Sequence, residues 1–284
     1  MAPILPEEIV PGVRRLTCAN PSPMTHTGTQ TYLVGRGQVA VIDPGPLDYE
    51  HLGAIEAALL PGERITAVLV THTHRDHSPL ARPLAERFGA PVYGYGRHGA
   101  GMSETMRALA ERHSLGGGEG ADRDFTPDRH LRDGDTLDVG ALRLRALHTP
   151  GHLSNHLSFA LEEHGILFTG DTVMGWSTTL VSPPEGDMAA FMASLARLGT
   201  RAKAGRDRLY LPGHGAPVED PAHLVAEQTA HRLKRAEQIL TALAKGPADT
   251  PTLTRRIYTD TSPHLLPAAE RNVLATLLWL TEET

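Results

Sequence analysis

"VTHTHRDH" (residues 70–77) places three histidines and an aspartate within six positions, directly after the apolar run "ITAVLV" (65–70). That run has the length and β-branched content of a buried strand, so the polar residues project from one strand end. Imidazoles and a carboxylate crowded there desolvate one another and repel once protonated; a bound cation makes their proximity favourable. In a chain of this composition the pattern H-x-H-x-D-H arises by chance about 0.003 times, so a chance polar turn does not account for it.

Three later residues join the set. His152 lies in "HTPGH" (148–152), Asp171 in "FTGDT" (168–172) and His214 in "LPGHG" (211–215), each at a strand-to-loop corner from which a side chain projects into a cleft. Taken singly, each reads as an ordinary hydrogen-bonded polar residue. Beside His72, His74, Asp76 and His77 they read as a ligand set. The single cysteine, Cys18, offers neither a disulfide nor a thiolate cluster, so the sixteen histidines and the carboxylates must supply the donors.

Around these corners the chain alternates. "TYLVG" (31–35) and "VAVID" (39–43) form a hairpin, and "ITAVLV" sits between helices over 47–60 and 79–88, followed by the strand "PVYGY" (91–95). Such alternation predicts a layered α/β domain. "GGGEGADRD" (116–124) lacks the Lys-Ser/Thr of a phosphate loop and reads as flexible surface. "TLDVGALRLRALH" (136–148) and "HLSFALEEHGILFTGD" (156–171) follow as hairpins, and "RLYLPGHG" (208–215) as a last strand. "DMAAFMASLARLG" (187–199) is predicted to be a helix capped by Asp187 and ended by Gly199, with Met188, Phe191, Leu195 and Leu198 on one face. From 221 the pattern is helical: 223–244, with Leu233, Ala236, Leu240 and Leu243 on one face, then a short helix from "TPTLTRRIY" and a third over 266–280. We expect a catalytic domain over 1–220 and a small helical domain over 221–284.

The net charge of −6 argues against a protein that coats nucleic acid, because that mode needs basic surface to release counterions. Residues 221–284 are neutral, with seven Lys/Arg and seven Asp/Glu, so the excess negative charge belongs to 1–220. No stretch reaches the ~18 apolar residues of a membrane span, and the N-terminal "MAPILPEEIVPGVRRL" has no secretion signal, which predicts a cytoplasmic protein with no membrane contact.

The ordered set THTHRDH, TPGH, GD and PGHG resembles the metallo-β-lactamase fold over most of residues 10–220. "NPSPMTHTGTQTYLVG" (20–35) is similar to the opening of the β-lactamase-like protein 2 group, whose members carry a C-terminal winged-helix-like domain. The resemblance implies an α/β four-layer αββα sandwich with that helical appendage. It implies one metal on His72, His74 and His152 and a second on Asp76, His77 and His214, with Asp171 bridging and Asp43 supporting the site. Gln30 stands where the group usually has Asn, Pro79-Leu80 replaces a common Gly-Gly, and "LTEET" leaves little length for a wing.

Two divalent ions sharing a water lower its pKa from ~15.7 towards ~7, which predicts a metal-bridging hydroxide as nucleophile. Zinc is the default for such donors, and iron or manganese also fits. Asp76 is expected to be catalytic by orienting the hydroxide, and His156 to lie behind the ligands or beside the substrate. His26 and His148 stay open between packing and substrate contact. The expected activity is hydrolysis of a small-molecule thioester, lactone or related ester. The alternative is an endoribonuclease that holds single-stranded RNA with "HRLKR" (231–235) and Arg255-Arg256. A scaffold that forms a homodimer through the appendage is the non-enzymatic reading, and the complete ligand set argues against it.

Overall fold

A computed structural model describes residues 5–112 and 120–282. In chain order the elements are β1 (Glu7–Val10), β2 (Val13–Thr17), β3 (Gln30–Val34), β4 (Gln38–Ile42), α1 (Tyr49–Ala57), β5 (Arg64–Leu69), α2 (Ala81–Phe88), β6 (Val92–Gly94) and α3 (Glu104–Arg112). There follow β7 (Arg129–His130), β8 (Thr136–Val139), β9 (Leu142–His148), β10 (Leu157–Leu161), β11 (Ile166–Gly170), α4 (Met188–Lys203), β12 (Leu209–Pro212), α5 (Pro221–Leu243), α6 (Thr250–Ile257) and α7 (Leu266–Glu282). Strands β1 to β7 form one sheet in sequence order, and the second runs β12-β11-β10-β9-β8.

The strands alternate between two buried environments, and this sets the layers. In β4, Ala40 and Ile42 face the second sheet and pack with Leu157, Phe159 and Phe168. Val39 and Val41 face the other way, against Leu52 and Ile55 of α1 and Leu84 of α2. The outer face of the second sheet, through Ala160, Leu167 and Tyr210, is covered by Met188, Phe191, Leu195 and Leu198 of α4. Helix, sheet, sheet, helix is the αββα order, with apolar residues on both faces of each sheet. The hairpin over 31–43 pairs Tyr32 with Ile42 and Val34 with Ala40. Parallel pairing of β4 with β5 and of β11 with β12 brings their C-terminal ends to one open edge.

Two helices depart from the expected pattern. Helix α4 continues through Gly199 to Lys203. A Cβ at Gly199 would lie 3.3 Å from Val225 Cγ1, so the glycine lets α5 approach and ends nothing. In α5, Leu233 and Leu240 are 51% and 53% exposed, and the buried face is Val225, Gln228, Arg232, Ala236 and Ile239. Hydropathy misses that face because two of its members are polar side chains with buried partners. Val225 and Ala275 of the helical segment join the α4 cluster, while Ile239, Leu253 and Val273 form a small core of their own.

Residues 116–119 of the glycine stretch lie outside the described residues, but 120–122 are pinned rather than free at the surface. Gly120 O accepts Arg75 N at 2.7 Å, and Asp122 N donates to Thr73 O at 2.8 Å, so this segment braces the histidine loop. Among the described residues no helix is long and apolar enough to cross a membrane, and 250–282 carries helices and a 3₁₀ turn without a strand.

Candidate metal centre

Asp43, one residue past β4, anchors the site. Its Oδ1 accepts Thr71 N and its Oδ2 accepts Thr71 Oγ1, both at 2.7 Å, which ties the start of the histidine loop to the end of β4. The residue takes a left-handed backbone (φ +50°), which Asp tolerates better than most. From that anchor the loop turns back on itself, since His77 N and Ser78 N both bond to His74 O. The turn sends His72, His74, Asp76 and His77 into one cleft at the open edge, where His152, Asp171 and His214 arrive from the second sheet.

The seven expected residues come together as two adjoining groups. His72 Nε2 and His152 Nε2 lie 3.0 and 2.9 Å from His74 Nδ1. His77 Nε2 lies 3.3 Å from His214 Nε2, and Asp76 Oδ2 is 3.2 Å from His214 Nε2 and 3.5 Å from His77 Nε2. Asp171 stands between the groups: Oδ2 is 3.8 Å from His72, 3.6 Å from His152 and 3.4 Å from His214, while Oδ1 is 3.5 Å from His77. Within each of the two sets, His72-His74-His152-Asp171 and Asp76-His77-His214, the facing atoms all lie within 4.8 Å of one another.

These donors fit divalent metal ions. His77 Nδ1 donates to Asp43 Oδ2 at 2.9 Å, His152 Nδ1 to Leu180 O at 2.7 Å, and His214 Nδ1 to Gly28 O at 3.3 Å. Thr71 Oγ1 has given its proton to Asp43, so it accepts from His72 Nδ1 at 2.9 Å. With the outward nitrogens donating, the inward nitrogens of these four imidazoles face one another, the orientation from which each would ligate a metal once any inward proton is displaced. Asp171 Oδ1 is buried and accepts no hydrogen bond among the described residues.

The two groups differ electrostatically. Burial, reinforced by the neighbouring imidazoles, pushes His72 far below its ordinary value and His74 down to about 3; burial lowers His152 as well. Burial also opposes charge on His77 and His214, but Asp76, Asp171 and Asp43 overcome it at His77 and hold it well above the ordinary value. Asp171 and Asp76 hold His214 up at about 9. The same pairing more than offsets the burial of Asp171 and Asp76, whose carboxyls stay far below the usual range. Three neutral imidazoles thus adjoin a compact ion-pair cluster, with Asp171 touching both.

The residues around the set divide as follows. His156 lies behind it, stacked on His72 at 5.0 Å, and its Nε2 accepts Asp171 N at 3.1 Å. His148 packs, stacked on Tyr95 at 4.1 Å with Nε2 donating to Ser154 O. His26 is exposed and stacks on Trp176 at the cleft rim. Sequence reading missed Thr71 and Gly213. A Cβ on Gly213 would meet Asp171 Oδ1 at 2.4 Å and His77 Cε1 at 2.7 Å, so the "PGHG" glycine makes room for two members of the set. Of the basic residues expected on RNA, two are engaged internally, since Arg232 is 3% exposed and Arg235 lies 4.2 Å over the Tyr258 ring and donates to Ile257 O, while Lys234, Arg255 and Arg256 are exposed.

Two sheets between helices, with histidines and carboxylates converging at the open edge, define a metal-dependent hydrolase class. The chain belongs to the metallo-β-lactamase superfamily: the profile of the Metallo-beta-lactamase superfamily matches residues 24–214, and that of the Beta-lactamase associated winged helix domain matches 250–284. It is a hydrolase of that superfamily, a fold that implies divalent metal ions. It is 31% identical over 247 residues to the atrochrysone carboxyl ACP thioesterase of Passalora fulva, covering 84% of this chain and 63% of that protein's length. It is also 31% identical to the beta-lactamase-like protein 2 homolog of Drosophila melanogaster, covering 93% of this chain and 88% of that one. A beta-lactamase domain protein from Burkholderia ambifaria superposes with a TM-score of 0.79 at 28% identity, covering 98% of this chain and 88% of that one.

Proposed function

We propose that the protein hydrolyses a small-molecule thioester, lactone or related ester, with one metal on His72, His74 and His152, a second on Asp76, His77 and His214, and Asp171 between them. The observation that carries this reading is the convergence of all seven side chains on one cleft from a single chain, with ring nitrogens aimed inward and a buried Asp171 oxygen that accepts no hydrogen bond among the described residues. Bound divalent ions would supply an activated water and polarise the carbonyl oxygen under attack. Zinc is the ion proposed, with iron and manganese suited to the same donors.

The chain's own groups do the rest. Asp76 opens onto the cleft while its Oδ2 faces His77 and His214, the position from which a carboxylate orients the attacking water. The outward hydrogen bonds of His72, His77, His152 and His214 fix their ring planes in advance. The cleft holds about 720 Å³, and Met24, Leu153, Met174 and Trp176 on the 1–220 side face Tyr258 and Leu265 on the 221–284 side. Such a wall suits an apolar or aromatic acyl group, and the thioesterase activity of the Passalora fulva relative supports the same class.

A panel of acyl thioesters, lactones, phosphodiesters and single-stranded RNA, run on zinc-loaded protein across a salt series, tests the proposal. We expect ester or thioester turnover with little dependence on salt. RNA cleavage that falls steeply with salt, without ester turnover, overturns it.

A further inference from the structure

The helical segment reaches the metal centre through one peptide bond. Asn272 of α7 faces the loop that joins β11 to α4, and its Oδ1 accepts Val181 N at 3.0 Å. That N–H and the carbonyl of Leu180 belong to the same peptide unit, and Leu180 O accepts His152 Nδ1 at 2.7 Å. A peptide unit is planar, with N–H and C=O directed oppositely. Fixing its N–H therefore fixes the direction of its carbonyl, and the hydrogen bonds at its two ends polarise each other.

Arg232 of α5 locks this arrangement. Its Nη1 donates to Asn272 Oδ1 at 3.1 Å, and its Nη2 donates to Thr179 O, the carbonyl of the preceding peptide. The guanidinium is buried and lies 5.2 Å over the Phe191 ring. Gln228 Nε2 donates to Met174 O at 2.8 Å and Arg271 Nε to Ser182 Oγ at 2.8 Å, so the loop is held on either side of the Leu180 peptide.

We propose that Asn272 and Arg232 are positioning residues for His152, acting through the Thr179–Val181 backbone to aim its Nε2 into the three-histidine group. The winged-helix unit is thereby a structural part of the metal centre as well as a wall of the cleft. This inference rests on the reading of His152 as a metal ligand.

The test is zinc binding to metal-free protein in competition with a chromophoric chelator, with His152→Ala marking which ion depends on that histidine. Asn272→Ala and Arg232→Met are expected to weaken that ion by about 10-fold, the low end for groups that orient a ligand, and to leave the other unchanged. Asn272→Asp, which keeps the acceptor oxygen, restores the affinity. Gln228→Ala is the matched control: it breaks a clamp on the same loop away from His152, so it lowers thermal stability without changing zinc affinity. In zinc-loaded protein the His152 imidazole N–H proton resonance shifts upfield in Asn272→Ala and stays in place in Gln228→Ala. Wild-type affinity and an unmoved resonance in a folded Asn272→Ala protein overturn the proposal. If His152→Ala itself retains both ions, the ligand reading falls instead, and the positioning role with it.

Discussion

Asp43 Oδ2 accepts the Nδ1 proton of His77 at 2.9 Å, across the gap between the end of β4 and the histidine loop. The contact sets the imidazole plane and aims Nε2 towards His214 and Asp76. Asp43→Asn keeps the size and, because Asn tolerates a left-handed backbone, keeps the turn. It removes the charge that makes His77 a strong donor to metal. We expect affinity for the ion held by His77 to fall about 10–100-fold, read by chelator competition, together with some loss of thermal stability because an amide nitrogen cannot accept from Thr71 Oγ1 and His77 Nδ1. Unchanged affinity would show that Asp43 serves the backbone alone.

Removing a ligand outright should be more severe and equally local. Asp76→Ala or His214→Ala is expected to reduce the metal content from about two ions per chain to about one and to abolish most turnover. The circular dichroism spectrum should be unchanged, since the core clusters lie beneath the site. Elemental analysis that still finds both ions in either variant contradicts the assignment.

How much of this was legible in advance depends on the kind of signal. The histidine motif and the strand-end corners carry donors whose chemistry is visible residue by residue, so the seven-residue set could be named without coordinates. The alternation of strands with helices showed a layered α/β domain, and the αββα order came with the resemblance carried by the ordered histidine and aspartate motifs, because strands buried on both faces do not reveal which layer each side meets. The buried face of α5 was not legible, because Gln228 and Arg232 read as solvent-facing and their partners, Met174 O and Thr179 O, are backbone atoms some fifty residues away. Gly199 looked like a stop for the same reason: the need for a missing Cβ is imposed by Val225 of another helix. Backbone acceptors and close helix approaches leave no mark in local sequence.

Gly213 makes a similar demand inside the site. Its backbone is not in the left-handed region, so replacement by alanine costs nothing in φ, and the effect of Gly213→Ala is purely steric. The added methyl would displace Asp171 or His77, both of which are held by other contacts. We expect metal affinity at both positions to fall by at least about tenfold, because Asp171 faces both groups. Serine should do the same. Wild-type metal content in a folded Gly213→Ala protein would show that the loop carrying His214 shifts freely.

Away from the metal groups, His51 sets an acid limit on stability. It is buried in α1, its ring nitrogen Nε2 bonds to Thr31 Oγ1 at 2.8 Å, and burial pushes its pKa down to about 4 although Asp48 opposes the shift. In the unfolded chain the group titrates near the ordinary histidine value of ~6.5. Between those values the unfolded state binds a proton that the folded state refuses, so stability is full above the unfolded pKa and is lost as pH falls towards the folded one. The loss approaches ~3 kcal/mol for one group across that window. His51→Gln keeps a hydrogen-bonding amide near Thr31 but does not titrate. The difference in urea stability between wild type and His51→Gln, both metal-free, cancels the titration of the metal-site residues. We expect that difference to move in favour of the variant as pH falls from 7 to 4 and to be flat above 7, and a difference that stays constant across the range would contradict a neutral buried His51.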